Sequence, residues 1–176
     1  MNRIPRWCLG TVSAASLGFL LVCGFGSAPA GDKKAPDPAA LDRTREQVKM
    51  LDDLYKTAVV SITNSYAEGQ SSVPAAMVAM DVFAVMNKKG YHDARLIDAT
   101  GKPKNKANVA KTDFEKKAVA EIKGGKAYYE EVAQVDGKPV LRAATIVPVV
   151  LKQCAVCHGK KEGSLLGAIV YELPIK

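Results

Sequence analysis

The sequence is short of the residues from which most binding and catalytic sites are made. Its 176 residues include two histidines, one tryptophan and four cysteines, and aromatic side chains amount to 6%. No carboxylate pair, no nucleophile set beside a base and no glycine loop patterned for phosphate is present, so the chain is not expected to be an enzyme. There is no internal repeat. The 25 basic residues are spread among 18 acidic ones rather than gathered in one block, so nucleic acid is not an expected partner. Long apolar runs are lacking after the N-terminal one, which excludes a polytopic membrane protein. What is there, 48% apolar and 24% charged side chains, excludes a disordered or collagen-like chain and suits one globular domain of roughly 100–200 residues.

The single apolar run opens the chain. Residues 1–30 hold Arg3 and Arg6, no acid, and then a stretch from Leu9 to Phe25 relieved only by Gly, Ser and Thr. This is the layout of a secretory signal peptide, and Ala28-Pro29-Ala30 supplies small residues where a signal peptidase reads them, so cleavage is expected after Ala30. The alternatives are an uncleaved anchor, for which the run is near the lower limit of spanning length, and a lipoprotein signal at Cys23, which follows Val22 rather than a small residue. Cleavage leaves 146 residues with 23 basic and 18 acidic side chains, a net charge of +5. A periplasmic or otherwise exported protein with no stable membrane insertion is then expected. Cleavage also removes Cys8 and Cys23, so that Cys154 and Cys157 alone face an oxidising compartment.

Residues 31–40, with two prolines and alternating charges, read as a flexible tether, and the domain is expected over 41–176. Leu41, Val48, Leu51, Tyr55, Ala58, Ile62 and Tyr66 recur at spacings of three, four and seven, which predicts a long helix ended by Gly69. A second helix should start at Pro74 and stop at Lys88-Lys89-Gly90. Between Ala75 and Met86 it carries one charge, Asp81, so it is expected to be buried on most sides. A strand over Tyr91–Ile97 and an irregular loop over Thr100–Asn108 follow. Thr112 and Glu115 form a capping box for a helix closing at Gly124-Gly125. Two strand-like runs, Tyr128–Val135 and Val140–Val150, are joined by Asp136-Gly137, a strong hairpin signal, and Pro148 suggests that the second leaves the sheet there. A last strand should span Leu166–Leu173. Helices first and an antiparallel sheet after them predict a single α+β domain.

The chemistry is concentrated in Cys154-Ala155-Val156-Cys157-His158. Two thiols three positions apart with a histidine directly after is the attachment signature of c-type haem. Each thiol adds across one vinyl group, and the adjacent His158 can turn its imidazole onto the iron as the proximal ligand. Three other readings compete. A thioredoxin-like pair would follow an early strand in a βαβ context. A structural zinc site wants four ligands, and outside the motif the exported chain offers only His92. A simple disulfide would close a tiny loop and leave His158 unexplained. Motif, compartment and cysteine economy favour one covalently attached haem c.

The order of elements resembles the PAS-like c-type haem domain family, formerly a domain of unknown function, whose prototype is cyanobacterial. The matching stretches are Ala76-Met77-Val78-Ala79-Met80, Arg95 with Lys104-Asn105-Lys106-Ala107-Asn108, Phe114-Glu115, and Arg142 through His158-Gly159. The resemblance implies N-terminal helices packed on an antiparallel PAS-like sheet. It also implies a distal haem ligand on the second helix, where the family carries a cysteine and this chain carries Met80. The family's Arg-Asn-Pro-x-Asn loop is altered here to Pro103-Lys104-Asn105-Lys106-Ala107-Asn108. Chemistry alone leaves the sixth ligand open. A thioether is an ordinary partner for c-type haem, and Met77, Met80 and Met86 share the second helix, where core packing is the plain alternative. His92 is the main rival, although its place beside Asp93 at a strand start suggests a surface histidine. The iron could also be open on that side.

Two functions follow as expectations. A six-coordinate His/Met haem suits electron transfer, and a basic surface could dock an acidic redox partner at low salt. The resemblance also implies sensing, in which a haem pocket reports redox state or a small gas to a separate signalling protein.

Overall fold

A computed structural model describes residues 35–67 and 74–176. The expected signal peptide, its cleavage site and the Gly69 helix stop lie outside the described residues. Within residues 35–176 the elements run α1 (Pro38–Ala67), α2 (Ala75–Lys88), β1 (Asp93–Asp98), a 3-10 turn (Lys106–Asn108), α3 (Asp113–Lys123), β2 (Tyr128–Val135), β3 (Lys138–Pro148), α4 (Lys152–His158) and β4 (Leu165–Pro174). The strands form one antiparallel sheet in the order β1-β4-β3-β2. The α+β expectation therefore holds, with the N-terminal helices on the sheet. No helix among the described residues is long and apolar enough to cross a membrane.

Strand periodicity sorts the core into two faces. Leu141, Ala143, Ile169, Tyr171 and Leu173 point to one side, where they meet Val48 and Tyr55 of α1 and Ala79 and Phe83 of α2. The alternate residues Ala144, Ala168 and Val170, with Ile97, point to the other side and meet Phe114, Ala118 and Ile122 of α3. The sheet is thus covered on both faces. α3 opens on the expected capping box: Thr112 accepts from the Glu115 amide, and Glu115 accepts from the Thr112 amide. The hairpin also forms as expected, with Asp136 and Gly137 at φ 49° and 74°, the left-handed pair that a two-residue turn between twisted strands requires.

Three expectations are corrected. α1 begins at Pro38 rather than near Leu41, and Ala40 is buried, so the last residues assigned to the tether belong to the first turn. Asp37 caps this turn by accepting from the Ala40 amide at 2.9 Å, and Ala40 packs into the core. α2 is not buried on most sides: Ala79 and Phe83 are buried, whereas Met77 is 53% and Val85 49% exposed. The helix sets a single stripe against α1 and β1, so that low charge density did not mean burial. His92, expected at the surface, is 8% exposed. Its ring lies against Tyr55 of α1, which its neighbour Asp93 in the sequence does not reveal.

Candidate functional site

The Cys-x-x-Cys-His segment sits in an excursion between β3 and β4 whose base is closed by the backbone. The Val149 amide donates to the Ser164 carbonyl and the Gly163 amide to the Val149 carbonyl, each at 2.8 Å. Val149 itself is buried and anchors the base in the fold. Inside this closed base, residues Lys152–His158 make two turns of helix, an element that the sequence reading left unassigned. Gly159 ends it at φ 60° and ψ 40°, a left-handed conformation in which any other residue is strained.

Helical geometry decides what the motif presents. Positions i, i+3 and i+4 share one face, so Cys154, Cys157 and His158 project from the same side of α4. Cys154 is partly buried, Cys157 is exposed, and neither is in a disulfide. Val156, off that face, is 85% exposed. Two thiols and an imidazole spread along one side of a short helix suit the edge and one axial position of a flat macrocycle. Among the described residues no group of three His, Cys, Asp or Glu side chains converges on a point as a bare metal ion would need.

The loop after β1 starts beside the end of this excursion. Ala99 donates to the Leu166 carbonyl, carrying the β1–β4 pairing up to the excursion. Asp98 then caps a turn by accepting from Thr100 and from the Gly101 amide. His158 lies close enough to this loop for its pKa to feel it. Partial burial and the Lys104 ammonium hold the imidazole below its ordinary value, and Asp98 opposes them. The loop is pinned by Arg95 on β1, which pairs with the buried Glu115 carboxylate at 2.6 Å and donates to the Ala107 and Val109 carbonyls. Asn105 is held in turn by the Ala107 amide donating to its side-chain oxygen, and its amide nitrogen lies 3.9 Å from the Met80 sulfur.

Met80 meets this loop through Asn105, and Lys104 of the loop acts on His158 by its charge. Met80 is only partly buried. His92 does not join them. It precedes Asp93, which pairs with Glu172, whereas Asp98 pairs with Gly167 next to the excursion. The five residue steps between these two ends of β1 span roughly 17 Å. His92 borders a cleft of about 480 Å³ at the far end, together with Arg43, Gln47, Leu51, Tyr91 and Leu173. Its Nε2 is engaged by the Tyr55 hydroxyl at 2.8 Å. Burial lowers its pKa, and the neighbouring Asp93 carboxylate raises it. Sequence reasoning missed this pair and the Asn105–Met80 contact. The Tyr55 half was legible as a member of the α1 stripe, but nothing local marked its partner.

The family model for Tll0287-like proteins matches residues 39–169. The chain belongs to the Tll0287-like family. The match runs from α1 into β4 and includes the whole motif. The crystal structure of the cyanobacterial haem protein Tll0287 is similar at 15% identity, covering 78% of this chain and 96% of that one, with a TM-score of 0.47. Comparison with curated proteins finds no match.

Proposed function

We propose that this Tll0287-like protein is an exported monohaem c-type cytochrome with a role in electron transfer. The observation that carries the reading is the single α4 face bearing Cys154, Cys157 and His158, on an excursion closed at its base and open at its tip. The donor set fits haem c: Cys154 and Cys157 would hold the vinyl carbons and His158 the proximal side of the iron, with Met80 as the distal ligand. Bound there, the group supplies a one-electron ferric/ferrous couple. The chain's own part is to hold that group rigidly at the surface. The reciprocal Val149 bonds fix the base of the excursion, Gly159 stops the helix directly after His158, and the Arg95–Glu115 pair fixes the loop that meets Met80. The family's namesake, a haem protein by its description, supports the cofactor. In this reading the protein is not an enzyme, does not bind nucleic acid and passes electrons to or from a partner protein.

One observation favours a second reading, a haem-based redox or gas sensor read by a separate signalling protein. Met80 is half-buried and among the described residues its sulfur has one weak polar contact, with Asn105, so an incoming ligand could displace it.

Protein produced with a c-type maturation system tests the cofactor directly. The pyridine haemochrome spectrum should be that of a thioether-linked haem, and haem should migrate with the chain on a denaturing gel stained for peroxidase activity. Cys154→Ala with Cys157→Ala should abolish the stained band. Haem that leaves the wild-type chain on acid-acetone extraction overturns the covalent reading.

A further inference from the structure

The net charge of the exported chain is not spread over its surface. Residues 99–110 contain Lys102, Lys104 and Lys106 and no acid, and residues 149–162 contain Lys152, Lys160 and Lys161 with one acid, Glu162. The rest of 31–176 holds seventeen basic and seventeen acidic residues, so these two short segments carry all of the net +5. Distant in sequence, they are neighbours in the fold. β1 ends at Asp98 beside Gly167 and Ala99 bonds to Leu166, so the first segment starts beside the strand that follows the second.

The six lysines are exposed, and none forms an ion pair among the described residues, whereas Lys49, Lys56, Lys116, Lys117 and Lys126 all do. Apolar side chains are interleaved with them. Val109 and Val150 are 46% exposed and Val156 is 85% exposed. A few exposed apolar side chains within a rim of charges of one sign is the composition of a transient docking surface. The charges steer the encounter and the apolar contacts hold it briefly.

Resting on the haem reading above, we propose that the lysines around the Cys154–His158 segment form the docking face for an acidic surface of a redox protein. Charge complementarity sets the partner's sign. The position of α4 sets its purpose, because a partner bound there covers the segment that would hold the haem edge and shortens the path for one electron.

Two triple variants of the haem-bearing chain with equal change of charge test the proposal. The first is Lys104→Glu with Lys160→Glu and Lys161→Glu. The second is Lys89→Glu with Lys138→Glu and Lys176→Glu, which lie at the opposite end of the sheet beside the start of β1, the start of β3 and the end of β4. The probe is a fluorescent deca-glutamate peptide, with binding read by anisotropy at low and high salt. The first triple should raise the dissociation constant on the order of tenfold or more at low salt and lose its salt dependence, and the second should change it less than about twofold. Neutralising the first three with Gln should give an intermediate loss, which separates charge from misfolding. Oxidation of the ferrous protein by ferricyanide, one electron passing to give ferrocyanide, should slow in the same order. Equal losses in both triples, or none in the first, overturn the docking face. Haem staining of the same samples reports separately on the haem reading, because the peptide measurement does not depend on the cofactor.

Discussion

Met80 and His92 show at the scale of single residues how environment separates two side chains of ligating chemistry. Either could bind haem iron. Met80 meets the loop that follows β1, at the end of that strand beside the excursion, whereas His92 is buried at the other end with Nε2 bonded to Tyr55. Met80→Ala in the haem-bearing protein should remove the weak red charge-transfer band of a thioether bound to ferric iron and open the iron to carbon monoxide. Met77→Ala should leave both unchanged and cost less than the 2–5 kcal/mol or so of a fully buried methionine, because Met77 is about half exposed. If His92→Gln alters the low-spin spectrum and Met80→Ala does not, the distal assignment is wrong.

Between elements, the same histidine ties β1 to α1. The Tyr55 ring also meets Phe83 of α2 edge-on at 4.8 Å and stacks on Tyr171 of β4 at 6.4 Å, so the His92 bond fixes a ring that three elements share. Burial lowers the imidazole's pKa below its ordinary 6.5, so as pH falls the unfolded chain takes up its proton before the folded one. The His92 contribution to stability should therefore fall from about pH 6.5 downward. Asp93 acts in the opposite sense, because burial and Glu172 raise its carboxyl above 3.8 and the folded state gains that proton first. Urea denaturation between about pH 8 and 5 checks this. The stability difference between wild type and His92→Gln should shrink as the solution is acidified, and a difference independent of pH would sink the claim. Any contribution of His158 is common to both proteins and cancels.

For the whole molecule, the helical layer is joined to the sheet by polar contacts as well as by apolar packing: Arg45 of α1 pairs with Glu130 of β2 at 2.7 Å, and a second carboxylate spans two strands. Asp52 of α1 accepts hydrogen bonds from Thr145 of β3 and Tyr171 of β4 and pairs with Lys56. Thr145 and Tyr171 are buried, so Asp52→Ala strands two hydroxyl donors and should cost about 2–5 kcal/mol in chemical denaturation. A loss under about 0.5 kcal/mol would show that water reaches both hydroxyls and that the layers hold together without this carboxylate. Such a loss would leave the excursion largely intact, because its base is tied to the strands by backbone bonds and not to α1.

Local signals were legible in the sequence wherever one short stretch settles its own conformation. The Thr112–Glu115 box, the Asp136-Gly137 turn and the α1 stripe each depend on neighbours within a few positions and each reads through to an element, and the equally local Cys-x-x-Cys-His spacing sets its three side chains on one face of α4. Tertiary structure decided what depends on pairs distant in the chain. Tyr55 and His92, and Asn105 and Met80, are 37 and 25 positions apart. No periodicity marks them, because they meet through the register of β1 against β4 and the pinning of the loop by Arg95. Charge behaved in the same way. Its total is a property of composition, but its concentration beside α4 arises because folding brings residues 99–110 and 149–162 to the same end of one sheet.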